Sequence, residues 1–358
     1  MKPGPWGDLE CIRISIEIPT DLLTVADYTE PVEWLFKDHS REAVMEVFRK
    51  ADLSPEQFRE VSLDRYWSKT EAGYIVRPTF DLIVGLQPEA RSVIYNLLGR
   101  FPENRAHYSS FLLRQNQIDE LNIESGLSEE IIALFKKLIY GEGDLLVFND
   151  ASTILSTLPD EQKQLQFLKL ISRRSTFLMK LKINQDSDIE KLVSYWGGGR
   201  RAKDIRPLLE SLQRVPGGCA IDVAHLVPFF ARKRMYTYPM PERGSSATRE
   251  NCHWSALNFF NDPPDTRMLD PDRVEGELKK NYRKISGNPQ MGDLVLFRQQ
   301  NGEVVHSATY IAEDVLFTKN GEGVYQPWLL MNATDVIGIY RNLHGEISAS
   351  LYRHRDWD

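Results

Sequence analysis

From position 9 to position 18 apolar and polar residues alternate strictly, with Ile12, Ile14, Ile16 and Ile18 on one side and Cys11, Arg13, Ser15 and Glu17 on the other. A period of two in β-branched residues predicts a half-buried strand, ended by Pro19, with Cys11 on its polar face. The period then lengthens. Ala43, Val44, Val47 and Phe48 recur at helical spacing within 39–51, and 88–98 predicts a second helix. Ser128 reads as the N-cap of a helix reaching Tyr140 that turns Ile131, Ile132 and Phe135 inward. An extended run over 72–84 is interrupted by Pro78, and 143–148 predicts a short buried strand. Residues 162–172 continue as helix, 175–183 as strand and 188–196 as helix. These elements show no regular βαβ alternation, so residues 1–198 read as a mixed α+β domain.

Gly197-Gly198-Gly199-Arg200-Arg201 lacks the Gly-Lys-Ser/Thr ending of a phosphate-binding loop and follows no clear strand. A glycine run without a motif predicts a flexible joint, which sets a boundary between 1–198 and 199–358. Beyond it, 203–213 predicts a helix stopped by Pro216-Gly217-Gly218, and 221–231 a further helix with Asp222 and His225 on one face. No other histidine or carboxylate recurs at ligand spacing, so this pair reads as a structural hydrogen bond and not a metal site. Cys219, beside two glycines, reads as a small packing residue. The polar, turn-rich stretch holding Tyr236, Tyr238 and residues 242–249 reads as the rim of a cleft.

The chemistry concentrates after this rim. Asn251 is a good N-cap, which puts Cys252 in the first turn of a helix that buries Trp254, Leu257 and Phe260 and ends at Asp262-Pro263-Pro264. An unassisted thiol has a pKa of about 8.5, and the positive end of a helix lowers it. That predicts a thiolate that iodoacetamide labels at pH 6 while Cys11 and Cys219 stay unmodified. Gly292-Asp293-Leu294-Val295-Leu296-Phe297 predicts a buried strand, and His306 opens another in Val304-Val305-His306-Ser307-Ala308-Thr309-Tyr310. The same Gly-Asp-Leu pattern occurs at 143–148, but no Cys–His pair surrounds it, so the echo reads as shared strand chemistry and not a repeat. A cysteine and a histidine far apart in sequence but near in space are the minimum for thiolate nucleophilic catalysis.

The order Cys-helix, Gly-Asp-strand, His-strand resembles the NlpC/P60 family of papain-like cysteine peptidases and amidases, over about residues 245–330. The resemblance implies a papain-like domain within 199–358, with Cys252 as nucleophile and His306 as general base. It also implies a polar residue on the next strand that orients the imidazole. The twelfth position after His306 is Thr318; Asn320 lies on the same strand face and is the better orienter, so Asn320 is preferred and Thr318 kept open. The backbone N–H of Cys252 would serve the oxyanion hole. His253 points about 100° round the helix from the nucleophile, and His253, Trp254 and Tyr238 are expected to line the substrate cleft. The implied reaction is amide hydrolysis through a thioester, on a cell-wall (peptidoglycan) peptide, with no metal and no cofactor. An acyltransferase on the same scaffold and a non-catalytic binding module are the alternatives.

Bulk properties narrow the partners. A formal net charge of −7 over 358 residues argues against a nucleic-acid or anionic-membrane partner, and the Arg200-Arg201 and Arg232-Lys233-Arg234 clusters read as solvated faces. No window approaches the roughly 20 apolar residues of a transmembrane helix. The first eight residues hold no signal-peptide core, which leaves the location open between cytoplasm and, with a removed leader, the cell envelope. Three cysteines are too few and too scattered for a disulfide framework.

Overall fold

The computed structural model describes residues 3–28, 30–108, 110–115, 118, 126–142, 145–240 and 250–357. The fold is α+β, in two compact units: residues 17–173, and residues 1–16 with 174–358. The division expected at 198/199 therefore moves. Strand β1 (Asp8–Ile16) pairs antiparallel along its whole length with Arg174–Ile183, which carries both segments into the C-terminal unit. The glycine run is not a joint. Gly199 has φ +70°, and a Cβ there would meet the Phe260 ring at 2.3 Å, so glycine is required by close packing.

In residues 17–173, β2 (Trp34–Lys37) leads to α1 (Arg41–Lys50), capped by Ser40 and burying Val44 and Phe48. Helix α2 (Pro55–Val61) starts from a Ser54/Gln57 capping box, and β3 (Trp67–Thr70) and β4 (Gly73–Val76) complete a sheet of order β2-β4-β3. The extended run expected over 72–84 ends at Val76, because Thr79 caps α3 (Phe80–Gly85). Helices α4 (Pro88–Leu98) and α5 (Arg105–Tyr108) follow, then β5 (Phe111–Arg114), α6 (Glu129–Leu138), β6 (Tyr140–Glu142) and β7 (Leu145–Phe148) in a second sheet. Ser128 caps α6 as expected, with Ile132 and Phe135 buried; Gly143 and Asp144 lie outside the described residues. Helices α7 (Ala151–Leu155) and α8 (Glu161–Ser172) close the unit. Its interior holds an ion pair: Arg91 Nε donates to Asp150 at 3.0 Å, and Tyr95 Oη donates to the other carboxylate oxygen at 2.7 Å.

The other unit begins with β8 (Arg174–Ile183), α9 (Ile189–Trp196), α10 (Ala202–Gln213) and β9 (Cys219–Asp222), the strands ordered β1-β8-β9. Two readings are corrected here. On β1 the burial changes side along the strand: Leu9 is buried and Cys11 half-buried while Ile12 is 41% exposed, but further on Ile14 and Ile16 are half-buried and Arg13 and Ser15 exposed; β8 and the helices beyond it supply the core at the Leu9–Cys11 end. The helix expected over 221–231 forms only from Phe229 on, since Asp222 ends a strand and caps a single 3-10 turn at Val223–His225. Helices α11 (Phe229–Arg234), α12 (Cys252–Leu257) and α13 (Pro271–Asn281) precede the main sheet. That sheet is antiparallel throughout, in the order β10 (Tyr282–Ile285), β15 (Ile347–His354), β11 (Leu294–Gln299), β12 (Val304–Ala312), β13 (Val315–Lys319), β14 (Trp328–Asn332). Helix α14 (Ala333–His344) connects β14 to β15.

Alternation separates two cores on this sheet. Leu294, Leu296, Ile311, Phe317 and Leu330 pack with Trp254, Leu257 and Phe259 from α12 and the turn after it. Val295, Phe297, Ala308, Tyr310, Leu316 and Leu329 pack with Val336 and Tyr340 of α14. The Gly-Asp entry to β11 has a structural task in this arrangement. Gly292 has φ +99° and leaves no room for a Cβ against Phe260, and buried Asp293 accepts two hydrogen bonds from Arg353 at 2.8 and 2.7 Å.

Candidate active site

Cys252 is the first residue of α12. Asn251 is extended and its side-chain oxygen accepts from Trp254 N at 2.8 Å, the N-cap the sequence predicts. The helix is fixed to the sheet through Ser255, whose hydroxyl donates to Asn251 O at 2.7 Å and accepts from Trp328 Nε1 at 2.9 Å. Cys252 is buried, and burial pushes its thiol up to about 11, although the N–H groups of Ser307, His253 and Cys252 itself, and the charge of Lys319, all pull it down. The helix terminus therefore does not hold a thiolate at rest. Desolvation outweighs it, so the resting thiol is raised and not lowered as the N-cap position implies.

His306 is fully buried on β12. It shares the face of Ala308 and Tyr310, stacked on Tyr340 with ring centroids 4.2 Å apart and planes 22° from parallel. Cys252 approaches from the α12 side, where the amide of the adjacent Ser307 donates to its sulfur. No hydrogen bond joins Cys252 Sγ to the His306 ring in this structure; Nδ1 is buried and has no hydrogen-bond partner among the described residues. The other nitrogen, Nε2, lies 2.8 Å from Thr318 Oγ1. Thr318 Oγ1 in turn donates to Asn320 Oδ1 at 3.3 Å, and the Asn320 amide is oriented by its Nδ2 contact to Met331 Sδ at 3.1 Å. The direct partner of the imidazole is thus Thr318. Asn320, preferred from the sequence, stands one hydrogen bond further out.

This chain of bonds fits one tautomer. A threonine hydroxyl has one proton, and here it goes to Asn320, so Thr318 accepts from Nε2–H and the lone pair lies on Nδ1. Burial holds His306 well below the ordinary histidine range, and nearby His253 adds to this, so the ring is neutral. A neutral, anchored imidazole with an open basic nitrogen is suited to accept a proton.

The other predicted residues divide. His253 Nδ1 lies 2.7 Å from Ser307 Oγ, which places it against β12 beside the cysteine; burial lowers its pKa, opposed by Glu322. Trp254 and Tyr238 were expected to line a cleft, but both are buried, and Trp254 packs in the core against Phe230 under the Arg234 guanidinium. The 242–249 rim lies outside the described residues. Ser307, Lys319 and Tyr340 belong to the site and were not singled out from the sequence. Lys319 had a signal, since it falls on the inward side of an otherwise apolar strand. Tyr340 had none, because a helical tyrosine 34 positions away is joined to His306 only by the fold. Among the described residues no cluster of three His, Cys, Asp or Glu side chains could hold a metal ion, and no helix is long and apolar enough to cross a membrane. Comparison of the chain with protein-family models, with curated proteins and with solved structures finds no match.

Proposed function

We propose that this protein is a papain-like cysteine hydrolase that cleaves an amide bond through a thioester on Cys252, with His306 as general base and acid. The observation that carries the reading is the His306 ring, tied at Nε2 and open at Nδ1, one residue from the amide that contacts the Cys252 sulfur. A buried polar atom without a partner costs about 1–3 kcal/mol. A contact of the Cys252 S–H with Nδ1, made as substrate binds, would remove that cost.

When a substrate carbonyl approaches, Nδ1 takes the thiol proton and the sulfur bonds to the carbonyl carbon. The Cys252 backbone N–H faces the oxyanion, and the new Nδ1–H is given to the leaving amine as the C–N bond breaks. Water then attacks the thioester, giving its proton to Nδ1, and Cys252 leaves with that proton. Thr318, itself held by Asn320, keeps Nε2 protonated throughout. The order of Cys252, Gly292-Asp293 and His306, resembling NlpC/P60 enzymes, supports a cell-wall peptide as substrate.

The test is a digest of peptidoglycan fragments by the parent and three variants. Cys252→Ala abolishes turnover, His306→Ala lowers it at least ~10²-fold, the lower range for a positioned base, and the double variant is no worse than Cys252→Ala. Unchanged turnover in either single variant removes that residue from the mechanism. If the parent turns over no amide or ester, and the parent and both single variants bind the fragments equally, the chain is a binding module.

A further inference from the structure

Lys319 is the last residue of β13 and has no solvent-exposed surface. It alternates with Val315 and Phe317, so it points to the α12 side of the sheet, and α12 packs on both β12 and β13. The β12–β13 pairing places Thr309 opposite Phe317. That pair ends the ladder: Lys319 lies two residues beyond it on β13, and Ser307, which meets Cys252 and His253, two residues before it on β12. Two of the three ammonium protons go to backbone carbonyls, Gly321 O at 2.7 Å and Gly323 O at 3.3 Å, and the Trp328 ring lies 5.8 Å away. Trp328 is itself bonded to Ser255 on the cysteine helix. A fully buried lysine is rare without a paired charge. Among the described residues no carboxylate is in salt-bridge contact with this one, and Glu250, the strongest acidic influence on it, is engaged by Arg234 at 3.3 Å.

We propose that Lys319 is a positioning cation of the cysteine site, held by the Gly321 and Gly323 carbonyls so that its charge stabilises the Cys252 thiolate as it forms. The proposal rests on the hydrolase reading for its biological use but not for its test. The charged and titratable groups facing Lys319 are Glu250 ahead of α12, Cys252 on it and Glu322 in the following turn. His306 is neutral, so it supplies no cation at rest. Burial lowers the Lys319 pKa to about 8, against the pull of Glu250, Cys252 and Glu322. As pH rises through that value the charge disappears, and so does its help to the thiolate.

The test is the rate of iodoacetamide alkylation of Cys252 between pH 6.5 and 9.5, read by peptide mapping on the intact chain, with Cys219 as internal control. Lys319→Gln keeps donors for the turn and removes the charge. It is expected to slow Cys252 alkylation about 10-fold at pH 7, one pKa unit of thiol stabilisation, with the difference closing above pH 9. Lys319→Arg keeps its charge across the range and should match the parent at pH 7 and exceed it at pH 9.5. A parent-to-Gln ratio near 1 at pH 7, or one that is constant with pH, reduces Lys319 to a structural tie and overturns the proposal. If Lys319→Gln misfolds, as circular dichroism and Cys219 labelling would reveal, the Arg variant's pH profile decides alone. Loss of the charge effect with normal turnover sinks only this proposal; a charge effect without turnover sinks only the hydrolase reading.

Discussion

Because the one proton of the Thr318 hydroxyl is given to Asn320, Thr318→Val removes the acceptor that keeps His306 protonated at Nε2. The ring is then free to place its proton on Nδ1, where it blocks base catalysis. The expected loss is about 10²-fold in turnover, with Thr318→Ser close to the parent. Asn320→Ala acts one bond further out and should cost less than about 10-fold. Equal losses at the two positions, measured with one substrate, would put Asn320 and not Thr318 in control of the ring. At this scale the sequence named the cysteine, the histidine and both candidates for the third place. It preferred Asn320, whereas Thr318 is the one hydrogen-bonded to the ring, because strand parity puts both on one face and only the end of β13 decides which reaches it. Parity likewise said nothing of how deeply Cys252 would be buried, and that burial raises its thiol where the helix terminus alone would lower it.

Among the elements, the join between α12 and β11 depends on a contact that glycine alone permits. Gly292→Ala would place a Cβ 2.3 Å from Phe260 at a φ of +99°. Strain and overpacking together should cost about 2–3 kcal/mol of stability, and Phe260→Ala in the same chain should recover part of it. Additive losses in urea unfolding would mean the two do not meet. Arg353→Met should cost about 3 kcal/mol, since it leaves the buried Asp293 carboxylate without its partner. Helices with a clear start signal and an apolar stripe, such as α4 with Pro88 at its first position and α6 with its Ser128 cap, were legible to within a residue or two. The 221–231 segment misled because its apolar residues satisfy a helical period, while Asp222 spends its side chain on capping Ala224 N and ends the strand there.

At the scale of the molecule, the unit boundaries were hidden because they depend on the β1–β8 pairing, which brings Arg13 to donate to the Ser175 hydroxyl 162 positions away and which no local pattern records. Two buried neutral histidines, His107 in residues 17–173 and His306 in the other unit, tie stability to pH. Burial lowers His107 to about 3, below its unfolded value near 6.5. The unfolded chain thus takes up a proton that the folded chain refuses, and stability falls as pH drops below about 6.5. Between pH 7.5 and 4.5 this one group should remove about 2–3 kcal/mol, and His107→Phe should abolish that share in urea titrations at the two pH values; an equal acid loss in the variant would place the sensitivity elsewhere. The catalytic account itself stands on one covalent species. Acid-quenched mass spectrometry of the full chain incubated with peptidoglycan peptides should find an acyl group in thioester linkage, mapped to Cys252, absent in Cys252→Ala and strongly reduced in His306→Ala. Turnover with no adduct at Cys252, persisting in Cys252→Ala, would contradict the account.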